Sequence, residues 1–105
     1  MKRPKTIKIF NFEYQILIAK REHSDAMDAW GWCDRNRQTI TLSKGMSPAQ
    51  ERDTLLHEIM HVLVALLQLS RGPSEEEICT RLSTGLMTVL SDNPKFAQWL
   101  LSPKS

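Results

Sequence analysis

The stretch "SPAQERDTLLHEIMHVLVALLQLSRGP", Ser47 to Pro73, decides how this chain folds. Ser47 is a good N-cap, Pro48 suits the first helical position, and Gln50 stands three residues after the cap as in a capping box. No Gly or Pro follows until Gly72, which suits a left-handed helix end, and Pro73 cannot continue a helix. The pattern predicts a helix from Pro48 to about Leu69. From Ile59 onward it is apolar nearly all round, as buried helices are. Two of the chain's three histidines, His57 and His61, nevertheless lie inside it, with Glu58 beside the first.

Residues four apart on a helix lie one above the other. His57 and His61 can therefore aim two imidazole nitrogens at one point, the geometry of two ligands to a single Zn²⁺. Glu58 is rotated from His57 by about 100°. It is badly placed as a ligand but can reach a water held by the same ion, and so can act as the general base of a hydrolase. Burying two imidazoles and a carboxylate without partners would cost several kcal/mol, and a cation offsets that penalty. A catalytic zinc wants a third protein ligand and an open position. Glu75, Glu76 and Glu77 are the candidates downstream, although acidic residues also favour the first turn of a helix for its dipole. Glu77 has a ready place in a capping box; on a 3.6-residue wheel Glu75 lies nearest the centre of the apolar face with Glu76 beside it, and periodicity does not choose between these two.

Working outward, Ile7 to Ile18 reads as extended chain with a rough period of two, and "NFEY" as either continuous strand or the turn of a hairpin. Lys20 to Asp28 is a loop or a short irregular helix. Trp30 to Cys33 and "QTITL" form a hairpin around Asp34 to Arg37. After the long helix, Ser74 and Glu77 make a second capping box, and Ile78, Leu82, Leu86, Val89 and Leu90 form a buried face. Asn93 caps a last short helix, Pro94 to about Leu101, which tucks Phe96, Trp99 and Leu100 against the core. Strands come first and helices after, which is the order of an α+β domain.

The chain has 105 residues, enough for one domain spanning 1–105. With 41% hydrophobic and 25% charged residues it has an ordinary globular composition. A formal charge of +2 argues against unaided nucleic-acid binding. No cleavable leader is evident, and the apolar run Val62–Leu69 is far shorter than the roughly 20 residues of a bilayer span. Cys33 and Cys79 read as reduced thiols. A cytoplasmic protein with no membrane partner is expected.

Two large zinc-peptidase patterns are excluded. The metzincin extension needs a glycine three after His61 and a histidine three further on, where this chain has Val64 and Leu67. The thermolysin-like pattern needs an aspartate four after the ligand glutamate, and Cys79, Thr80 and Arg81 occupy those places.

The runs "GWCDRNRQTITLSKGMSPAQERDTLLHEIMHVL" and "EEEICTRLSTGLMTVLSDNP" resemble the small zincin-like metallopeptidases of phages and mobile elements, minimal relatives of the ImmA/IrrE family, from about Gly31 to Pro94. The resemblance implies a minimal zincin-like fold, in which a small antiparallel or mixed sheet has its edge strand beside the metal. The HExxH helix, a second helix and a short C-terminal helix follow. It also implies His57 and His61 as zinc ligands, Glu58 as catalytic base and Glu76 as third ligand, since Glu76 stands three before Cys79 and seven before Ser83. The implied partner is a protein or peptide substrate, a regulator or repressor. The family's Phe-Ala pair in the second helix is Leu82-Ser83 here.

Other roles follow from the residues themselves. His23 and Tyr14 are candidates for an oxyanion donor, His23 otherwise being solvated and Tyr14 packed in a strand. Trp30 and Trp32 belong to the core or a sheet face, and one can border a groove. Arg52 and Asp53 suit helix-surface pairs. "QTITL" is either an interior strand or an edge that pairs with an extended peptide. Two alternatives drop the enzyme. One is a structural zinc domain in which Cys33 and Cys79 join His57 and His61, and the other is a catalytically inactive zincin-fold binding protein.

Overall fold

The computed structural model describes residues 2–102. Eight elements follow in order: β1 (Thr6–Ile9), β2 (Phe12–Ala19), α1 (Arg21–Met27), β3 (Gly31–Asp34), β4 (Thr39–Ser43), α2 (Pro48–Leu66), α3 (Glu75–Asp92) and α4 (Pro94–Leu100). The chain is α+β, with four strands in one mixed sheet in the order β1-β2-β4-β3.

"NFEY" proves to hold a hairpin turn. Ile9 pairs with Phe12 across Phe10 and Asn11, and Phe10 takes a left-handed φ of 55° while packing against the core. The polar stretch after β2 is helix α1, tied to β4 by a buried Ser24–Ser43 hydroxyl contact of 2.6 Å. This crossover lets β4 lie parallel to β2, with Ile16 opposite Ile40, while β3 returns antiparallel to β4. Alternation then sorts the side chains. Ile7, Ile9, Tyr14, Ile16, Ile40 and Leu42 face the helices and are buried.

"QTITL" is therefore an interior strand, with β2 on one side and β3 on the other. The edges are β1 and β3. On β1, hydrogen-bonded pairs alternate with outward-facing residues, and Lys8 faces out. Its N–H donates to Asn93 Oδ1 at 2.8 Å and its carbonyl accepts from Asn93 Nδ2 at 2.7 Å. Asn93 stands at the N-cap of α4 but makes no side-chain cap bond there. Its amide acts as a fragment of a fifth strand, closing the β1 edge.

Both predicted capping boxes form, Ser47 with Gln50 and Ser74 with Glu77. The end of α2 differs from the expectation. The helix stops at Leu66, and Gln68, at φ 54°, takes the left-handed position that ends it, while Gly72, at φ 90°, turns the chain beyond that end. Gln68 N–H bonds the Ala65 carbonyl and Leu69 N–H the Val64 carbonyl, a Schellman end with Leu69 buried. Nor is α2 buried all round. Leu55, Ile59, Val62 and Leu63 are sealed in and Glu58 is mostly buried, while His57 and His61 are exposed. Arg52 makes no surface ion pair among the described residues. Its guanidinium donates to the Trp99 and Ser102 carbonyls, capping the end of α4.

Two glycines set the packing distances around α2. A Cβ at Gly85 of α3 would lie 2.9 Å from Leu67 Cδ1 and 3.3 Å from Leu63 Cδ2. At Gly31 of β3 it would lie 2.6 Å from Thr54 Cγ2 and 3.3 Å from the Thr41 carbonyl oxygen. Gly31 thus lets the edge strand press onto the helix that carries the histidines. Gly31→Ala should lower stability by about 1–3 kcal/mol through overpacking, read as a lower urea midpoint with an unchanged slope. Wild-type stability would show that β3 does not bear on α2 there.

Candidate metal centre

The histidines are placed by what lies behind them. Once Leu55, Ile59, Val62 and Leu63 turn into the core, the 100° step of the helix carries His57 and His61 to the outer side. Their rings meet edge to face, with centroids 4.6 Å apart and planes at 84°. The two Nε2 atoms are 3.0 Å apart, within hydrogen-bond distance. Two nitrogens on a tetrahedral zinc at about 2.0–2.1 Å are separated by about 3.3 Å. The donor pair therefore fits a cation with a small adjustment of either ring.

Glu58 is the buried member, 8% exposed. The imidazoles are exposed and only the stem of this carboxylate is buried, so the burial penalty that a cation was expected to offset does not arise among the described residues. No hydrogen bond to its oxygens is found among the described residues, and no buried side-chain oxygen there is left without a partner. Its oxygens accordingly open into the cleft that the histidines border. That cleft is about 520 Å³ and lies between α2 and β3, with Trp32, Cys33 and Arg35 along the strand side.

β3 is the part of the site that motif reading misses. Cys33 pairs with Ile40 and Gly31 with Leu42, so both stand on the sheet face that meets α2. Burial, followed by the negative charge of Glu58, pushes the Cys33 thiol up to about 11, with Arg35 opposing and Asp34 adding to the rise. Period-two alternation in "GWCD" was the available signal, but it says nothing about which helix the strand will meet.

The remaining candidates lie elsewhere. Glu75, Glu76 and Glu77 are exposed in the first turn of α3. Glu77 is held by Ser74 and by Arg81 at 3.1 Å. Gly85 marks the face of α3 against α2, and Glu76, nine residues earlier, sits about 180° round the helix from it. Cys79 is exposed on α3. Among the described residues no three of His, Cys, Asp and Glu come together to hold an ion. Neither Glu76 nor the two cysteines complete the imidazole pair in this arrangement.

His23 does not line the cleft. Its ring packs on Trp32, centroids 5.4 Å apart. Tyr14 is a packed strand residue, 2% exposed, and burial raises its phenol above the usual value. Trp32 borders the groove, whereas Trp30 lies under the Arg21 guanidinium, 5.4 Å from the ring centroid.

A raised thiol pKa favours the neutral form in the fold. Its stabilising contribution is complete below the unfolded value of 9.0 and is lost as pH rises through about 11. In metal-free protein, iodoacetamide should modify exposed Cys79 first, with Cys33 reacting slowly until the pH approaches 11. Glu58→Gln should move that profile to lower pH. Equal rates at Cys33 and Cys79 across the range would contradict the placement of the thiol beside the carboxylate.

No known family, curated protein or solved structure matches this chain.

Proposed function

We propose that this protein is a zinc-dependent peptidase, a metalloprotease of the hydrolase class that acts on a protein or peptide substrate. One observation carries the reading: the Nε2 atoms of His57 and His61 converge to 3.0 Å at the mouth of a cleft into which the Glu58 carboxylate opens. His57 and His61 would hold the ion. Glu76 is proposed as third ligand from the likeness to the minimal zincin-like peptidases, and it reaches the ion only if the first turn of α3 moves. When bound, zinc makes a water acidic enough to attack near neutral pH and polarises the peptide carbonyl.

The residues of the chain do the rest. A Glu58 carboxylate oxygen accepts a proton from the attacking water as the water oxygen bonds to the carbonyl carbon. It then returns that proton to the amide nitrogen as the C–N bond breaks. Burial of the Glu58 stem holds the carboxylate in one place through both transfers.

The substrate strand is assigned to β3. Ser43 N–H bonds the Trp30 carbonyl, which makes 30/43 and 32/41 the hydrogen-bonded pairs and turns the N–H and C=O groups of Gly31 and Cys33 to the open edge. An extended peptide pairing there would run past the imidazoles. A regulator or repressor as the natural substrate, and a cytoplasmic workplace in keeping with two free thiols, belong to the same proposal.

Purified protein should contain one zinc per chain by elemental analysis, and His57→Ala or His61→Ala should lose it. Glu58→Gln should keep the zinc yet cut casein about 10²–10⁴-fold more slowly. Absence of bound zinc in excess metal at neutral pH, or full activity of Glu58→Gln, would overturn the reading. Glu76→Gln with undiminished zinc retention would assign the third ligand elsewhere. Cys33→Pro removes the outward N–H of an edge strand that can accommodate proline, and it should raise KM for an extended peptide more than it lowers kcat.

A further inference from the structure

Five cations that are scattered in sequence converge at one end of the sheet. β1 begins where β2 ends, because the two are antiparallel, and β4 ends there too, because it is parallel to β2. Lys2, Arg3 and Lys5 precede β1, Lys20 follows β2, and Lys44 follows β4. They line two adjoining clefts of about 440 and 450 Å³ that share Arg3 and Glu51 as a common wall. Glu51, ion-paired with Arg3, is the single acid lining either cleft among the described residues. The whole chain carries 14 basic and 12 acidic residues. With five cations against one acid gathered here, the remainder holds a small negative excess. The molecule is polarised although its net charge is nearly neutral.

We propose that this end is a docking surface for an acidic polypeptide segment bearing apolar side chains, separate from the His57–His61 cleft. Charge complementarity selects an anionic partner. The Arg3–Glu51 pair shows that the shared wall holds a carboxylate. Ile16, Met46 and Trp99 line one cleft beneath the basic rim, and Ile18, 43% exposed, lies in the other. Apolar lining suits the side chains of a peptide and gives a phosphodiester backbone nothing to bind. α2 starts at this end, and His57 lies nine residues along it from Pro48, about 14 Å by helical rise. A segment docked here would therefore be held beside the cleft without filling it. The surface would bind whether or not the protein cleaves peptides.

The test is fluorescence anisotropy on full-length Glu58→Gln protein, so that cleavage has no part in the readout. The probe is a labelled peptide of alternating Glu and Leu. Binding should weaken as sodium chloride is raised, and a peptide with Gln for Glu should bind at least about tenfold less tightly. Lys20→Glu/Lys44→Glu should cost about tenfold in affinity with an unchanged circular dichroism spectrum. Should that variant misfold, Lys20→Gln/Lys44→Gln should give a smaller loss in the same direction. Equal affinity for the two peptides, unchanged affinity in a folded charge variant, or tighter binding of a thymidine oligonucleotide than of the acidic peptide would each overturn the proposal.

Discussion

The site depends on the way α2 lies on the sheet. Sealing Leu55, Ile59, Val62 and Leu63 against the inner face leaves one rotation for the helix about its axis. At that rotation His57 and His61 stand outside and Glu58 lies at the border, its stem buried and its oxygens in the cleft. Their positions are thus a by-product of core formation, and the convergence of the two rings requires no strained backbone, since no residue of α2 has a positive φ.

The second constraint is the asymmetry of the sheet edges. Exposed edges invite pairing with other chains, and the two here are treated differently. Asn93 blocks β1 with two hydrogen bonds to Lys8, which tie the α3–α4 junction to the sheet, and a third, donated by its Nδ2 to the Val89 carbonyl, anchors the amide on α3. β3 keeps the outward groups of Gly31 and Cys33 toward the cleft, and Gly31 brings the strand close to Thr54 of α2. A free edge beside two converging imidazoles is what gives the peptidase proposal a place for its substrate.

The same topology explains the basic end. "KRPK" is a basic cluster by itself, but "AKRE" and "LSKG" taken singly do not exceed the charge of an ordinary loop. Antiparallel β1 and parallel β4 deliver all three to the same end of β2, and the spacing between them in sequence disappears.

Local chemistry determined much of this protein in advance. Both capping boxes, the start of α2, the hairpin around Asp34 to Arg37, the α+β order and the pairing of His57 with His61 were legible because each depends on residues within about one or two turns of one another. Helix endings were less so: Gln68 displaced Gly72 because burying Leu69 completes the Schellman end before the glycine is reached. Only the tertiary structure decided which histidine-bearing face is wet, that "QTITL" is interior, that β3 walls the cleft, that Asn93 serves a strand instead of a helix, and that Glu76 lies across α3 from α2. These are outcomes of long-range packing, where the partner of each residue is set by strand order and crossover. No local pattern of apolar and polar residues encodes that order.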